Sequence, residues 1–105
     1  MIARHVSMKL KDNSAPEFNR IIENEVLPLL RKQKGFRDEI TFVGQERSLA
    51  VGISLWDAKE DAEAYSRTGY PEVAKALLEV LDGSPTVETF EVASSTFHKV
   101  AAKTA

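Results

Sequence analysis

A guanidinium, an imidazole and three aromatic side chains with polar tips are the groups best suited to chemistry in this sequence. They belong to Arg4, His5, Trp56, Tyr65 and Tyr70. An arginine can hold an anionic or phenolate oxygen, and a histidine can accept a proton near pH 7. Tyrosine and tryptophan can line an aromatic pocket while they donate a hydrogen bond. Arg4 and His5 are therefore the weak catalytic candidates, and the three aromatic residues are candidates for substrate binding.

Each of these residues also has a structural role open to it. Trp56 suits the edge of a core, with its indole N–H bonded to a carbonyl, as well as stacking on a ligand. Arg4 interrupts the apolar face of the first strand, where it could pair with Asp38 or face a phenolate. We expect the ion pair, because charged side chains at strand ends usually reach water. Tyr65 and Tyr70 equally suit the packing of a helix on a sheet.

The remaining charged residues favour structural readings. His5 and His98 lack a suitably spaced carboxylate and make a poor metal site, so we expect each at the surface or at a dimer interface. Asp57 and Glu60 are expected to cap a helix. A basic cluster is expected to be a solvated helix end, and it comprises Arg31, Lys32, Lys34 and Arg37.

The sequence contains no glycine-rich phosphate loop, no catalytic triad and no metal-ligand cluster. We therefore expect no metal and no bound cofactor. Any oxidation chemistry would come from the substrate, with the protein supplying shape, desolvation and a base.

Composition limits the classes of function that remain. The 105 residues indicate one domain spanning 1–105, with 101–105 expected to form a loose tail. Cysteine is absent, which excludes disulfides and thiolate sites. The net charge of −2 argues against nucleic acid or an anionic membrane as partner. No secretory signal or membrane-length apolar run is visible, and a cytoplasmic location is expected.

The hydrophobic period changes in an informative order along the chain. Apolar residues first alternate with polar ones, then recur at helical spacing, and then alternate in two successive segments. A second segment of helical spacing and a last alternating segment follow. The segments are 2–10, 15–33, 36–43, 49–56, 58–81 and 86–98. This βαββαβ order predicts an α+β ferredoxin-like fold, a split βαβ unit with a four-stranded antiparallel sheet.

Local signals predict where the helices begin and end. Ser14 followed by Glu17 predicts a capping box at the first helix. Pro28 lies inside the apolar stripe of that helix and predicts a kink or a break. Gly35 predicts a left-handed stop, and Gly69 is expected to interrupt the second helical segment.

The two faces of the sheet predict assembly. The third strand presents an apolar row that reads as the core face, formed by Leu49, Val51, Ile53 and Leu55. The opposite row contains Ala50, Gly52 and Ser54 and is semi-polar. A semi-polar sheet face suits packing on a second sheet, so we expect a two-fold homodimer through the sheet face.

Several short motifs carry a resemblance to a known family. They are Leu27-Pro28-Leu29-Leu30 running into Gly35-Phe36, Ser54-Leu55-Trp56-Asp57 opening a Glu/Ala-rich helix that contains Tyr65, and Tyr70-Pro71 restarting that helix. Together with the element order, they resemble the antibiotic biosynthesis monooxygenase-like family of dimeric α/β-barrel proteins. The resemblance covers residues 1–98.

The resemblance implies a function as well as a fold. Enzymes of this family oxidise polycyclic phenols with dioxygen and without a cofactor, in a pocket between the helices and the sheet. Trp56 and Tyr65 match pocket positions, and Tyr70 is expected at the pocket edge. Haem degradation is not expected, because the first strand offers Arg4 and His5 where haem degraders use asparagine. No histidine stands between Trp56 and Leu81 to bind haem.

Three hypotheses follow. The first is a cofactor-independent monooxygenase-like protein that binds or oxidises a small aromatic or quinone-type molecule. The second is a non-catalytic dimeric ligand-binding or stress-related module, which a dry pocket without a proton acceptor would favour. The third is a pure assembly domain, which would be favoured if Phe18, Leu77 and Leu81 filled the space between helices and sheet.

Overall fold

The chain follows the predicted element order, as a computed structural model that describes residues 1–100 shows. The predicted loose tail, 101–105, lies outside the described residues. The elements are β1 (Ile2–Lys9), α1 (Ala15–Ile21), a π-helical turn (Ile22–Val26), α2 (Leu27–Arg31), β2 (Phe36–Val43), β3 (Leu49–Trp56), α3 (Lys59–Thr68), α4 (Tyr70–Leu77) and β4 (Thr86–Glu91). The four strands are antiparallel in the order β2-β3-β1-β4. The predicted ferredoxin-like fold is confirmed.

The first helical segment breaks at the predicted proline. Pro28 lies in the first turn of α2, where a backbone N–H is not needed. The π-helical turn before it widens the helix, and the N–H of Leu27 donates to the carbonyl of Ile22. α2 ends at Arg31, before the predicted stop, and Gly35 is left-handed, with φ of 78°, in the turn that leads into β2. No helix within residues 1–100 is long and apolar enough to cross a membrane.

Neither predicted capping box forms. The Ser14 hydroxyl lies 3.5 Å from the carbonyl of Asp12, and Glu17 instead accepts two hydrogen bonds from Arg20. Asp57 pairs with Arg37 rather than capping α3, whose N-cap residue is Ala58. Both carboxylates pair with arginine side chains, because a charge-assisted hydrogen bond is stronger than one from a backbone N–H.

The last strand is shorter than predicted. β4 ends at Glu91 rather than His98, because it pairs only with β1, which begins at Ile2. One further backbone bond joins the N–H of Val92 to the carbonyl of Met1. The segment 92–98 then turns across the sheet, where His98 pairs with Asp38 of β2. This segment and the sheet border an open, mainly apolar groove of about 510 Å³.

The predicted assignment of the two sheet faces is wrong. The row that contains Ala50, Gly52, Ser54 and Trp56 faces the helices, and the apolar row faces away from them. The face away from the helices is called the open face here. Its large apolar side chains include Phe42, Leu49 and Phe90, which are 52%, 59% and 49% exposed. Small residues face the helices because bulky helix side chains occupy that side of the sheet.

A β-bulge at Arg37 changes which side chains of β2 face the helices. Phe36 pairs with Trp56 on the helix side, whereas Asp38 pairs with Leu55 on the open face. A bulge adds one residue to one strand and so reverses which side chains share a face. The buried core between helices and sheet is formed by Met8, Leu10, Ala15, Phe18, Ile21, Ile22, Val26, Leu30, Ala50, Trp56, Ala62, Tyr65, Val73, Leu77, Val80 and Leu81.

Candidate functional site

A small cavity lies between the helix side of the sheet and the helices. Its water-accessible volume is about 50 Å³, enough for a few water molecules. The sheet supplies the floor, and the π-helical turn, α2, α3 and α4 supply the walls. The lining residues are Arg4, Val6, Met8, Ile22, Val26, Leu30, Glu39, Thr41, Gly52, Ser54, Tyr65, Tyr70, Val73, Ala74, Leu77 and Pro85.

Arg4 is the cation of this cavity. It is 4% exposed, and burial lowers the pKa of its guanidinium while Tyr65 and Tyr70 oppose that shift. Within residues 1–100, no carboxylate lies within ion-pair distance of it. The predicted pairing with Asp38 is wrong, because the bulge places Asp38 on the open face. Arg4 is therefore a buried cation without an anionic protein partner in the described part of the chain.

Two tyrosine rings hold the Arg4 guanidinium in place. Its Cζ atom lies 4.6 Å from the ring centroid of Tyr70 and 5.1 Å from that of Tyr65. Both distances are within the range of a cation–π interaction. The predicted pocket residues Tyr65 and Tyr70 thus line one cavity with Arg4, and a substrate-binding role for them stays a prediction.

Trp56 stands behind the cavity wall. It is fully buried, and its ring stacks on Tyr65 with centroids 4.8 Å apart. Its indole N–H donates to the Ser54 hydroxyl at 2.9 Å, not to a carbonyl. Trp56 does not line the cavity, so it supports the ring that does. Phe36 packs edge-on against the other side of the indole.

Burial raises the pKa of both tyrosine hydroxyls above their ordinary value. Burial raises the pKa of Tyr65 to about 12, while the positive charge of Arg4 acts in the opposite direction. The pKa of Tyr70 is also raised by burial. At neutral pH, both side chains can therefore donate hydrogen bonds into the cavity.

Glu39 is a cavity residue that sequence reasoning missed. A glutamate in a strand is expected to face solvent, but β2 turns Glu39 toward the helices. Its two carboxyl oxygens lie 2.9 and 2.8 Å from the hydroxyl of Thr41. Burial raises the pKa of its carboxyl, and the hydrogen bond from Thr41 opposes that shift. The small residues Gly52 and Ser54 on the adjacent strand were the available sign in the sequence, because they leave room for a larger neighbouring side chain.

The two histidines lie away from this cavity. The sheet separates His5 from Arg4, and the His5 ring contacts Phe90 edge-on on the open face. Its buried Nδ1 atom has no hydrogen-bond partner within residues 1–100. His98 pairs with Asp38 on the same face. The two catalytic candidates, Arg4 and His5, therefore cannot act on one ligand in this cavity.

The cavity offers a cation, several hydroxyl groups and one carboxyl group in apolar surroundings. Within residues 1–100, no group of three metal-ligating side chains is present. Arg4 and the tyrosines can stabilise a negative oxygen, and Glu39 can accept a proton or a hydrogen bond. Such a set can bind a small molecule with an acidic hydroxyl and stabilise its anion.

Comparison with known proteins identifies the fold through structure alone. No protein-family model matches the chain, and no curated protein matches it in sequence. A monooxygenase from the gene ActVA-Orf6 of Streptomyces coelicolor, solved with the ligand Nanaomycin D, matches with a TM-score of 0.77 at 13% identity, over 93% of this chain and 92% of that chain. SnoaB, a cofactor-independent oxygenase from Streptomyces nogalater, matches at 0.74 and 14%, over 92% and 97% of the chains.

The same fold also occurs in proteins of undefined role. A protein of unknown function from Nitrosomonas europaea matches with a TM-score of 0.77 at 14% identity, over 93% of this chain and 94% of that chain. Several further matches carry the name antibiotic biosynthesis monooxygenase as a provisional description. The predicted likeness to proteins of this name is confirmed at the level of fold. Identities this low carry no function across, since one fold hosts many functions.

Proposed function

We propose that this protein binds a small aromatic phenol or quinone in the cavity between helices and sheet, and holds an oxygen of that ligand at Arg4. The observation that carries the proposal is the buried guanidinium without a carboxylate partner within residues 1–100. Burying an unpaired charge costs several kcal/mol. An anionic oxygen of a ligand would pair with this buried guanidinium and offset that cost.

The aromatic surroundings of Arg4 support a flat ligand. Tyr65 and Tyr70 frame the guanidinium, and the rest of the wall is mainly aliphatic. Their protonated hydroxyls add neutral donors beside the cation. A phenolate or quinone oxygen can accept from all three groups, whereas an aliphatic ligand would leave the aromatic surface unused.

The cavity must widen to admit such a ligand. Ligand sites for drug-sized molecules measure about 300–1,000 Å³, against about 50 Å³ here. The sheet floor is fixed by its ladder of hydrogen bonds, so the helical wall is the part that moves. The π-helical turn contributes Ile22 and Val26 to that wall, and such turns are often found at functional sites.

We further propose that the bound phenol is oxidised by dioxygen without a cofactor. Two solved structures with this fold are described as a monooxygenase and a cofactor-independent oxygenase. In the balanced reaction, a phenol and O₂ give a quinone and water. Arg4 would stabilise the phenolate, which is the electron-rich form that reacts with dioxygen. Glu39 would be the proton acceptor of the cavity. An acceptor-free pocket would have favoured binding alone.

Assembly as a homodimer through the open face belongs to the same proposal. That face carries exposed apolar side chains on β2, β3 and β4. An apolar face of this kind marks an interaction surface, and a second copy of the same sheet is complementary to it under two-fold symmetry. The open face is thus the expected dimer surface, although it is the opposite row of β3 from the one predicted.

A tryptophan-fluorescence titration tests the binding proposal. Trp56 is the only tryptophan and stacks on Tyr65, so a ligand that contacts Tyr65 should change its emission. The titrants are small hydroxyquinones and anthrones, with N-acetyltryptophanamide as the control for light absorption by the ligand. Saturable quenching together with protein-dependent oxygen uptake supports both parts of the proposal. Quenching without uptake supports the binding module alone.

The assembly-domain hypothesis is the alternative that the same titration decides. Phe18, Leu77 and Leu81 are buried and fill much of the space between helices and sheet. If no titrant quenches Trp56 beyond the control, the cavity binds no aromatic ligand of this class. The open face would then be the working surface of the protein.

A further inference from the structure

Three polar side chains stand in one row across the floor of the cavity. Glu39 on β2 lies opposite Ser54 on β3, and Ser54 lies opposite Arg4 on β1. Opposite residues on neighbouring antiparallel strands keep their Cβ atoms about 4.5–5.5 Å apart. Across two strand spacings, the Cβ atoms of Arg4 and Glu39 are therefore about 9–11 Å apart. The floor carries a cation at one end, a carboxyl at the other and a hydroxyl between them.

The carboxyl of Glu39 occupies a position that the backbone shapes. The hydroxyl of Thr41 donates to it, at 2.8 and 2.9 Å from its two oxygens. Gly52 faces it from β3, and a Cβ atom at Gly52 would lie 3.2 Å from its Oε2 atom. A larger residue at position 52 would crowd the carboxyl. The recess is thus open only because position 52 has no side chain.

Glu39 has no cation as a partner in the described part of the chain. None of the ion pairs within residues 1–100 includes it. Arg4, at the other end of the row, contacts tyrosine rings instead. A half-buried carboxyl of this kind costs stability unless another group satisfies it. Beyond the single Thr41 hydroxyl, the cavity itself is the place from which a further donor would come.

Between Arg4 and Glu39, the hydroxyl of Ser54 is free within the described part of the chain to donate one hydrogen bond. Its oxygen accepts from the indole N–H of Trp56, and its own proton has no acceptor within residues 1–100. Donors therefore cluster at the Arg4 end and the middle of the row, with an acceptor at the Glu39 end. A ligand that satisfies this order has an accepting oxygen toward Arg4 and a donating group toward Glu39.

We propose that Glu39 selects ligands with a hydroxyl group at the end opposite Arg4, so that the ligand class is a dihydroxylated one- or two-ring aromatic rather than a fully oxidised quinone. This inference rests on the proposed function, because it assumes that an aromatic ligand places an oxygen at Arg4. A carboxylate accepts hydrogen bonds but donates none. A quinone carbonyl facing it would bring two acceptors together, which selects against the oxidised ligand.

Two matched probes separate this specificity from binding itself. 1,5-Dihydroxynaphthalene carries a hydroxyl at both ends, and 5-methoxy-1-naphthol replaces one hydroxyl with an ether that cannot donate. The wild-type protein is expected to bind the diol at least about tenfold more tightly, the effect of leaving one buried acceptor unsatisfied. Dissociation constants come from Trp56 fluorescence or calorimetry.

The variant Glu39→Gln keeps the size of the side chain but adds a donor. Its amide N–H can donate to the methoxy oxygen, and its amide oxygen can still accept from Thr41. In this variant, the preference for the diol over the methoxy compound is expected to fall to less than about threefold. Any preference that remains does not come from the carboxylate of Glu39. Asp38→Asn is the matched control, since it changes the neighbouring carboxyl on the open face. It should leave the preference intact.

Each outcome separates the two proposals. If the wild type binds both probes with equal affinity, or if Glu39→Gln keeps the full preference, Glu39 does not set specificity and the proposed function still stands. If the wild type binds neither probe, the proposed function fails and this inference fails with it. A preference that is lost in Glu39→Gln and retained in Asp38→Asn supports the assignment.

Discussion

At the residue scale, the cavity depends on where a few charged side chains point. Arg4 could be recognised from the sequence as an exception on an apolar strand face. Its partner could not, because the bulge at Arg37 moves Asp38 to the other side of the sheet. Periodicity in the sequence carries no mark of a bulge. The same difficulty hid Glu39, which reads as an ordinary solvent-facing residue of a strand.

Tyr65 makes the stability of the protein depend on pH in the alkaline range. Its pKa rises from the ordinary 10.0 to about 12 in the folded state, chiefly because burial disfavours the phenolate. Between these values, the unfolded state binds fewer protons than the folded state, so stability falls as pH rises. Its contribution is fully present below pH 10 and is lost as pH rises through about 12.

The variant Tyr65→Phe tests this assignment. It cannot ionise, so its free energy of unfolding should fall less steeply between pH 10 and 12 than that of the wild type. Urea denaturation at a series of pH values measures the two slopes. Because Tyr70 also titrates with a raised pKa, a residual slope is expected in the variant. Identical slopes in the two proteins would contradict the assignment.

At the element scale, the helices were easier to predict than the sheet faces. Pro28 and Gly35 act through local backbone geometry, so the break and the left-handed glycine were predicted correctly, although the helix already ends at Arg31. Which face of β3 meets the helices depends on the packing of distant segments. The sequence predicts the more apolar row as the core face, but that row faces away from the helices, on the open face. Small residues on the buried row make room for the cavity and for Trp56 between sheet and helices.

The junction of α3 and α4 holds the cavity wall in position. Gly69 separates these helices, and a Cβ atom there would lie 2.7 Å from Cδ1 of Tyr65 and 3.2 Å from Cδ2 of Leu29. The variant Gly69→Ala should therefore displace the Tyr65 ring and destabilise the protein by about 1–3 kcal/mol, the usual cost of overpacking. A changed Trp56 emission should accompany the loss, since the two rings stack.

A second glycine provides the control for this substitution. A Cβ atom at Gly44 would meet its nearest neighbour at 3.6 Å, an ordinary contact. Gly44→Ala should leave both the unfolding midpoint and the emission close to those of the wild type. Equal effects of the two variants would mean that the contact of Gly69 with Tyr65 does not fix the wall.

At the scale of the whole molecule, the open face predicts association. Phe42 lies on that face, on the edge strand β2, and is 52% exposed. The variant Phe42→Glu should convert a dimer to a monomer in light scattering at micromolar concentration, because a charge cannot be buried there without a partner. Leu78→Glu is the control, since Leu78 is 70% exposed outside the sheet. A monomeric wild type, or a dimer that survives Phe42→Glu, would contradict the predicted surface.

The central claim is that Arg4 binds the anionic oxygen of a small aromatic ligand. The most direct measurement is calorimetric titration of the wild type and Arg4→Met with 1,5-dihydroxynaphthalene, which has an oxygen for Arg4 and a hydroxyl for Glu39, at pH 7. We expect saturable binding by the wild type and an affinity at least about tenfold lower for Arg4→Met, the loss that follows when a hydrogen bond to a charged group is removed. The variant should fold at least as stably, because it removes an unpaired buried charge. Equal affinities, or no binding by a folded wild type, would contradict this role of Arg4.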